Sequence, residues 1–421
     1  MSVQSDTINP RLRLTISVQR FPAPSETFIV TKVLGLLDRG FDVQIFTSAP
    51  SSDWGCFQVL AGREDVRRRI HVAPPTDSLR KILTIGLLIL LKTLLRHPLE
   101  FFRFARHCWK YRKSHPLGFL KALYSRLHFV GHRADVLHIE FDTLALGLTD
   151  MTYYLGSKLL LSARGTFQKM SVIDRYPDAP QRIYADVDGY HFISQYLHRN
   201  ALKLGLNPAV PTWLIEPAID LTLFTAQQRT SNALGAPLKL ITVARLAWQK
   251  GYEFAVDAVA LVHKAGVPIE YHIIGEGPYR EPVEFAARQW GLLQNGIIRF
   301  VGAVPREQVV KHLTESDIMI HAAVEEGFCN AVIEGQAAGL PVVCSDAGGL
   351  PENVEDGVTG FVVPRRNPEA MAEKIIQLAH DPELRKRMGE AGRVRAQNRF
   401  DLNHQIEAFT RLYQELAARE Q

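Results

Sequence analysis

The sequence holds four cysteines in 421 residues, Cys56, Cys108, Cys329 and Cys344, and none stands at metal-ligand spacing from another. That excludes a cysteine zinc framework and a disulfide scaffold, so reduced thiols in a cytoplasmic protein are expected. Long apolar runs are scarce too. The longest apolar part, residues 82–91, is ten residues including Thr84, against the ~20 that a spanning helix needs. No apolar leader precedes Arg11, so no secretory signal is expected. Acids nearly vanish from residues 80–133, where twelve Lys/Arg meet the single acid Glu100 among Leu, Ile, Phe, Trp and Tyr. Two readings of this region stand: a basic amphipathic surface for an anionic bilayer or an acidic acceptor, and core-packed helices with solvated basic faces. No recognised nucleic-acid module accompanies the charge, so nucleic acid is not an expected partner.

What the chain does contain is alternation. Its length exceeds that of a usual single core, which predicts two domains. Apolar residues make up 46% and charged residues 22%, the balance of a soluble globular enzyme. The net charge of +5 conceals a split: residues 1–220 carry 28 Lys/Arg against 19 Asp/Glu, and the remainder carries 21 against 25. The first half is thereby suited to an anionic partner. Apolar runs predict strands over residues 12–19, 41–47, 136–139, 158–162 and 189–193, with Ser25 capping a helix that Gly40 stops. The second half predicts strands at 238–244, 270–274, 297–301, 317–320 and 341–344, and helices near 252–264, 280–290, 306–314 and 330–338. Asp186-Val187-Asp188 reads as a polar lead-in to a buried strand in preference to a divalent-ion site. The expected boundaries are residues 1–220 for a first domain, 221–400 for a second and 401–421 for a final stretch, with polar residues 227–232 and 235–237 as linker.

Parallel α/β domains bind ligands beyond the carboxyl ends of their strands, and the second half places its candidate chemistry there. Arg245 and then Lys250-Gly251 follow the first predicted strand, a planar fork and a point charge suited to a diphosphate. Gly275-Glu276-Gly277-Pro278 follows the next, permitting close backbone approach to a ligand or merely making a tight turn. After residues 317–320 comes Glu326-Gly327-Phe328-Cys329-Asn330, where a helix is expected to open and its unpaired amides to favour an anion. Glu334, inside that helix, is suited to a ribose diol. Gly348-Gly349-Leu350-Pro351-Glu352 forms a further flexible loop. Together these loops point to a nucleotide diphosphate attached to something rich in hydroxyls. A glycoside hydrolase using Glu326 and Glu334 is the lesser reading, because such carboxyls sit ~5 to 9.5 Å apart and eight helical steps would separate these by ~12 Å.

Arg245 with Lys250-Gly251, Gly275-Glu276-Gly277, Glu326-x7-Glu334 and Gly348-Gly349-x-Pro351-Glu352, in this order, resemble the GT4 family of retaining glycosyltransferases. The resemblance covers most of residues 238–364. The first domain is similar more loosely: Ser25-Glu26-Thr27-Phe28-Ile29 resembles the helix opening of exopolysaccharide and colanic-acid type members, and residues 215–224 resemble the interdomain crossing. Two departures stand out, Pro217-Ala218-Ile219-Asp220 in place of Pro-Gly-x-Asp, and Ser162-Ala163-Arg164-Gly165 where many members have His-Gly followed by an acid. The resemblance implies the α/β GT-B fold, two Rossmann-like doubly wound parallel-sheet domains facing a central cleft. It implies transfer of a hexose from a UDP- or GDP-sugar to a glycan or lipid-linked acceptor in cell-surface polysaccharide biosynthesis, with the α configuration retained, no metal and no tightly bound cofactor. By position, Arg245 and Lys250 would neutralise the diphosphate, Glu326 would orient the sugar hydroxyls and Glu334 would hold the ribose. Gly275, Glu276, Gly277, Gly327, Phe328, Cys329 and Asn330 would surround the donor, and Ser25, Glu26, Arg164 and Gly165 would lie on the acceptor or sugar side. The final stretch, residues 402–419, would cross back to the first domain. A cytoplasmic place, peripheral on the inner face of the plasma membrane, is expected. Two readings from other classes stand beside transfer: a GT-B nucleotide-sugar epimerase, and a catalytically silent membrane-docked module resting on residues 80–133.

Overall fold

Runs such as Val136–Ile139 and Val342–Ser345 bury every residue, as strands do when helices cover both faces of a parallel sheet. The computed structural model describes residues 12–23, 26–113, 118–165, 177–225 and 236–419. The chain packs as two units, one of Met1–Phe192, Asn200–Leu214 and Ile406–Gln421, the other of Ile193–Arg199 and Ile215–Gln405.

The first unit holds a seven-stranded sheet of β1 (Arg13–Val18), β2 (Asp42–Thr47), β3 (Ile70–Val72), β4 (Val136–Ile139), β5 (Lys158–Ala163), β6 (Gly189–Phe192) and β7 (Thr212–Leu214), in the order β3-β2-β1-β4-β5-β6-β7. The second holds β8 (Leu238–Val243), β9 (Ile269–Ile274), β10 (Ile298–Gly302), β11 (Ile318–His321), β12 (Val342–Ser345) and β13 (Gly360–Val363), in the order β10-β9-β8-β11-β12-β13. Every pairing within these sheets is parallel. Counted from its own first strand, the first sheet runs 3-2-1-4-5-6-7 and the second 3-2-1-4-5-6, and the direction of winding reverses between β1 and β4 and between β8 and β11. A crevice opens at such a reversal, outside the carboxyl ends of the strands.

Helix Thr27–Asp38 follows β1 and ends at Gly40, whose φ of 84° suits glycine. The expected cap Ser25 lies outside the described residues, as do residues 227–232 and Gly235 of the expected linker. Helices Tyr252–Lys264 and Arg306–Thr314 match the predicted spans, and Asn330–Ala337 ends one residue early. Asp188 accepts the Leu159 N–H at 2.7 Å and faces Lys158 at 3.7 Å, so this acid serves the strand β5. The last helix, Leu402–Ala418, buries Ile406, Phe409, Leu412, Tyr413 and Leu416. These recur every three or four residues, one face of an amphipathic helix. Ile406 packs on Gly35 of the helix Thr27–Asp38 so closely that a Cβ there would lie 2.2 Å from its Cδ1.

Candidate functional site

In the second unit the loops after β8 and β11 meet. The Val324 N–H donates to the Gln249 carbonyl at 2.9 Å, which brings Lys250 against Glu326. The Lys250 ammonium contacts Glu326 Oε2, and His321, the last residue of β11, places Nε2 3.5 Å from that same oxygen. Cys329 Sγ lies 3.6 Å from His321 Nε2. Burial opposes ionisation of Glu326, yet Lys250 and His321 outweigh it and hold the carboxyl down to about 2. Burial also opposes the charge on His321, but Cys329 and Glu326 outweigh it and raise the imidazole to about 9. Lys250 is likewise raised, the pull of Glu326 exceeding the cost of burial. The Lys250 and His321 cations thus face the Glu326 carboxylate, with the Cys329 sulfur beside His321.

Arg245, exposed just past β8, makes no ion pair with any described residue. The helix Asn330–Ala337 opens behind Glu326, and the amides of Gly327, Phe328 and Asn330 find no acceptor among the described residues. Cys329 departs from the expectation. Its N–H donates to Asn353 Oδ1 at 3.1 Å, and its side chain and that of Phe328 are buried, Phe328 edge-on to Phe400. Cys329 thus builds the loop and has no amide left for a ligand, while Phe328 can offer only its backbone.

The glycines act on neighbouring loops. At Gly348, φ is 57° and a Cβ would lie 2.2 Å from the Glu326 carbonyl oxygen, while the Gly349 N–H donates to that carbonyl at 2.8 Å. At Gly275, φ is 132° and a Cβ would lie 2.1 Å from the Ala244 carbonyl oxygen. The Gly277 position is equally tight against the Leu246 backbone. These loops are glycine-rich because one backbone lies on another, which fixes Arg245 and Glu326 in place. Glu276 itself is exposed and paired with Arg280 at 2.9 Å. Glu352 accepts from the Gln195 and Tyr196 amides at 2.8 and 2.7 Å, capping the helix Gln195–Lys203.

Glu334 faces Arg306 at 3.6 Å, and burial raises its carboxyl against the pull of that guanidinium. Only four of the eight steps from Glu326 to Glu334 are helical, so the ~12 Å axial spacing of a continuous helix does not apply. Their different partners distinguish the two acids. His321, Glu326 and Cys329 also form a set whose ligand-type atoms lie within 4.8 Å of one another. Imidazole, carboxylate and thiolate suit zinc, but the Lys250 ammonium sits on the Glu326 oxygen where a metal would bind and supplies positive charge there.

The first unit carries a second cluster at its own reversal point. Lys32, on the buried face of its helix, contacts Glu140 just past β4, and Arg164 Nη2 lies 2.7 Å from the other Glu140 oxygen. The Arg164 guanidinium stacks 4.1 Å over Phe28. A buried chain follows: Tyr413 Oη to His138 Nδ1 at 2.6 Å, His138 Nε2 to Ser162 Oγ at 2.7 Å, and Ser162 Oγ to His191 Nδ1 at 2.7 Å. Arg164 is thus committed to Glu140 and Phe28, unlike a group open to a sugar. Glu26 Oε2 is shielded from solvent and accepts no hydrogen bond from any described residue, and burial raises the carboxyl against the pull of Arg164. Gly165 follows at φ 85°, and Ser25 is outside the described residues. Sequence reasoning passed over Lys32, Glu140, His321, Arg306 and Asn353. Lysine within an apolar helix stripe, and histidine at a strand's carboxyl end, were the available signals.

Residues 224–395 match the family model described as glycosyl transferases group 1. The second unit is a group 1 glycosyltransferase domain. The chain is 26% identical over 380 residues to the amylovoran biosynthesis glycosyltransferase AmsK of Erwinia amylovora, covering 87% of this chain and 91% of that protein. It is 28% identical over 260 residues to a GDP-mannose-dependent alpha-(1-6)-phosphatidylinositol monomannoside mannosyltransferase of Mycobacterium tuberculosis, covering 58% and 67%. In fold, it is similar to the Anabaena HepE protein crystallised with UDP, at TM-score 0.70 and 15% identity over 96% of this chain and 100% of that one. Two Rossmann-like units and this likeness make the fold of the glycosyltransferase GT-B.

Two results are expected from this geometry. Glu140→Gln leaves Lys32 and Arg164 buried without their counter-charge, which costs about 3–5 kcal/mol in denaturant unfolding. Because the folded state raises His321 to about 9 from the ordinary 6.5, its contribution to stability is fully present below 6.5 and is lost as pH rises through 9. Melting temperature should fall across that window in the wild type and fall less in His321→Asn.

Proposed function

We propose that the chain transfers a sugar from a nucleotide diphosphate donor to a glycan or lipid-linked acceptor in cell-surface polysaccharide biosynthesis, retaining the α configuration and requiring no metal. The observation that carries this reading is the Lys250–Glu326–His321 cluster beside Arg245 at the β8/β11 reversal of the group 1 domain. Arg245 lies unpaired among the described residues beside the Lys250–Glu326 ion pair, positive charge that suits the negative charge of a sugar diphosphate. The free amides of Gly327, Phe328 and Asn330 add donors at a helix start.

Charge grows on the diphosphate as the sugar leaves, so cations fixed beforehand stabilise the transition state more than the ground state. Glu326 stays ionised and can accept from the sugar hydroxyls, fixing the ring while its bond to phosphate breaks. The departing phosphate takes the acceptor proton on the face it leaves, which retains configuration. Glu334 holds the ribose, and the unpartnered Glu26 oxygen receives an acceptor hydroxyl. Lys250 makes a metal unnecessary because its ammonium is already placed at the Glu326 carboxylate. The named relatives are transferases, which favours transfer over epimerisation. The mycobacterial relative is named for a phosphatidylinositol mannoside, which supports a lipid-linked acceptor here.

A panel of UDP- and GDP-sugars tests the reading. One nucleotide class should raise the melting temperature and be slowly hydrolysed without acceptor. A folded protein that neither binds nor turns over any donor contradicts it. Lys250→Ala and Glu326→Gln should each lower kcat/KM by about 10²–10³-fold when assayed well below the variants' lowered melting temperatures, and full activity in a folded variant would make that residue structural. Activity should survive EDTA, and NMR of the product should show an α linkage from an α donor. A β product contradicts retention.

A further inference from the structure

Helix Leu87–Arg96 is built of leucine, isoleucine, threonine, lysine and arginine, and none of its residues is buried. Leu88, Leu91 and Leu95, spaced by three and four, are 66%, 46% and 81% exposed, and Leu83, Ile85 and Leu87 are exposed beside them. The next helix, Pro98–Cys108, turns Phe101, Phe104 and Cys108 into the unit and leaves Leu99 and Phe102 outside, with exposed Trp109 following. Ten of the twenty exposed large hydrophobic side chains among the described residues lie between Leu83 and Leu120. A concentration of exposed apolar side chains of this kind marks an interaction surface.

Charge says what covers it. Arg80, Lys92, Arg96 and Arg106 are exposed in the same segment and make no ion pair with any described residue. Leucine interleaved with free cations fits a surface with an apolar interior and an anionic rim, as a bilayer of anionic lipids presents. No single helix in this segment is long and apolar enough to cross a membrane. Ile82–Arg96 and Pro98–Arg112 are bent by 119° to one another, and fifteen helical residues reach ~22 Å against the ~30 Å of a hydrocarbon core. The second helix is clamped to the unit: Arg103 donates to the Tyr154 carbonyl at 2.9 Å, His107 meets Asp150 at 3.0 Å, and Phe104 packs edge-on to Tyr154. Leaving the surface would break all three contacts.

We infer that the exposed face of Leu83–Leu95, continued by Leu99, Phe102 and Trp109, is a monotopic docking surface for an anionic lipid bilayer. The leucines enter the headgroup boundary, and Arg80, Lys92, Arg96 and Arg106 meet lipid phosphates. This surface lies in the first unit, so it places the enzyme at a membrane independently of the donor chemistry.

The full chain is floated with phosphatidylglycerol–phosphatidylcholine vesicles and with phosphatidylcholine alone, at low and high salt, with donor hydrolysis measured in parallel. Binding should require phosphatidylglycerol and weaken with salt. Leu88→Asp with Leu95→Asp, and separately Lys92→Glu with Arg96→Glu, should each weaken binding at least tenfold while donor hydrolysis is kept. Wild-type protein that stays unbound at low salt overturns the inference, and that arm needs no variant to fold. So does undiminished vesicle binding by folded variants. If light scattering shows the leucine variant turning a dimer into a monomer with vesicle binding intact, the face joins copies of the chain and the inference is wrong. Lost flotation with intact donor hydrolysis separates this surface from the donor site.

Discussion

The structure of the second unit depends on one carboxylate. Glu326 stands where two loops converge, its carboxyl shared by Lys250 and His321 and its carbonyl receiving the Gly349 amide. A buried charge survives only when paired and hydrogen-bonded, so these contacts fix the loop after β11 against the loops after β8 and β12. The glycine positions follow from that constraint, since any Cβ at Gly348 or Gly349 would strike the backbone of residues 326 and 327. Asn353 completes the arrangement by accepting from Cys329 N–H and, through its own carbonyl, from the Gln336 amide at 2.6 Å.

The same device appears twice. In each unit a lysine from the first βα segment meets a glutamate beyond the fourth strand, with a histidine 3.5 Å from that glutamate: Lys32, Glu140 and His138 in one, Lys250, Glu326 and His321 in the other. What differs is access. The side chains of Lys32 and Glu140 are 2% and 0% exposed, whereas those of Lys250 and Glu326 are 22% and 12% exposed. The first trio therefore stabilises a core and the second can meet a ligand. Strand order creates the crevice in both units, and exposure leaves the second cluster the accessible one.

The central strands were legible in the sequence because burial on both faces writes continuous apolar runs. The strands missed, β3, β7 and β13, are all at sheet edges, three or four residues long, and carry polar residues or glycine. Arg245, Lys250 and the glycine loops were legible through a family motif, since each sits at a strand's carboxyl end. Their partners were not. Nothing in sequence spacing joins Glu326 to His321 or Glu334 to Arg306, and the commitment of Arg164 to Glu140 depends on β4 and β5 lying side by side. In the basic region composition alone could not sort the apolar side chains: Phe101 and Phe104 pack inward while Leu88 and Leu95 face out.

The central claim is that Lys250 and Glu326 act on the donor as one unit. A double-mutant cycle of Lys250→Met and Glu326→Gln, read as nucleotide-sugar affinity by calorimetry, tests it most directly. The account predicts a coupling of about 1–3 kcal/mol between the two changes. Additivity within about 0.5 kcal/mol, in variants that remain folded, would contradict it.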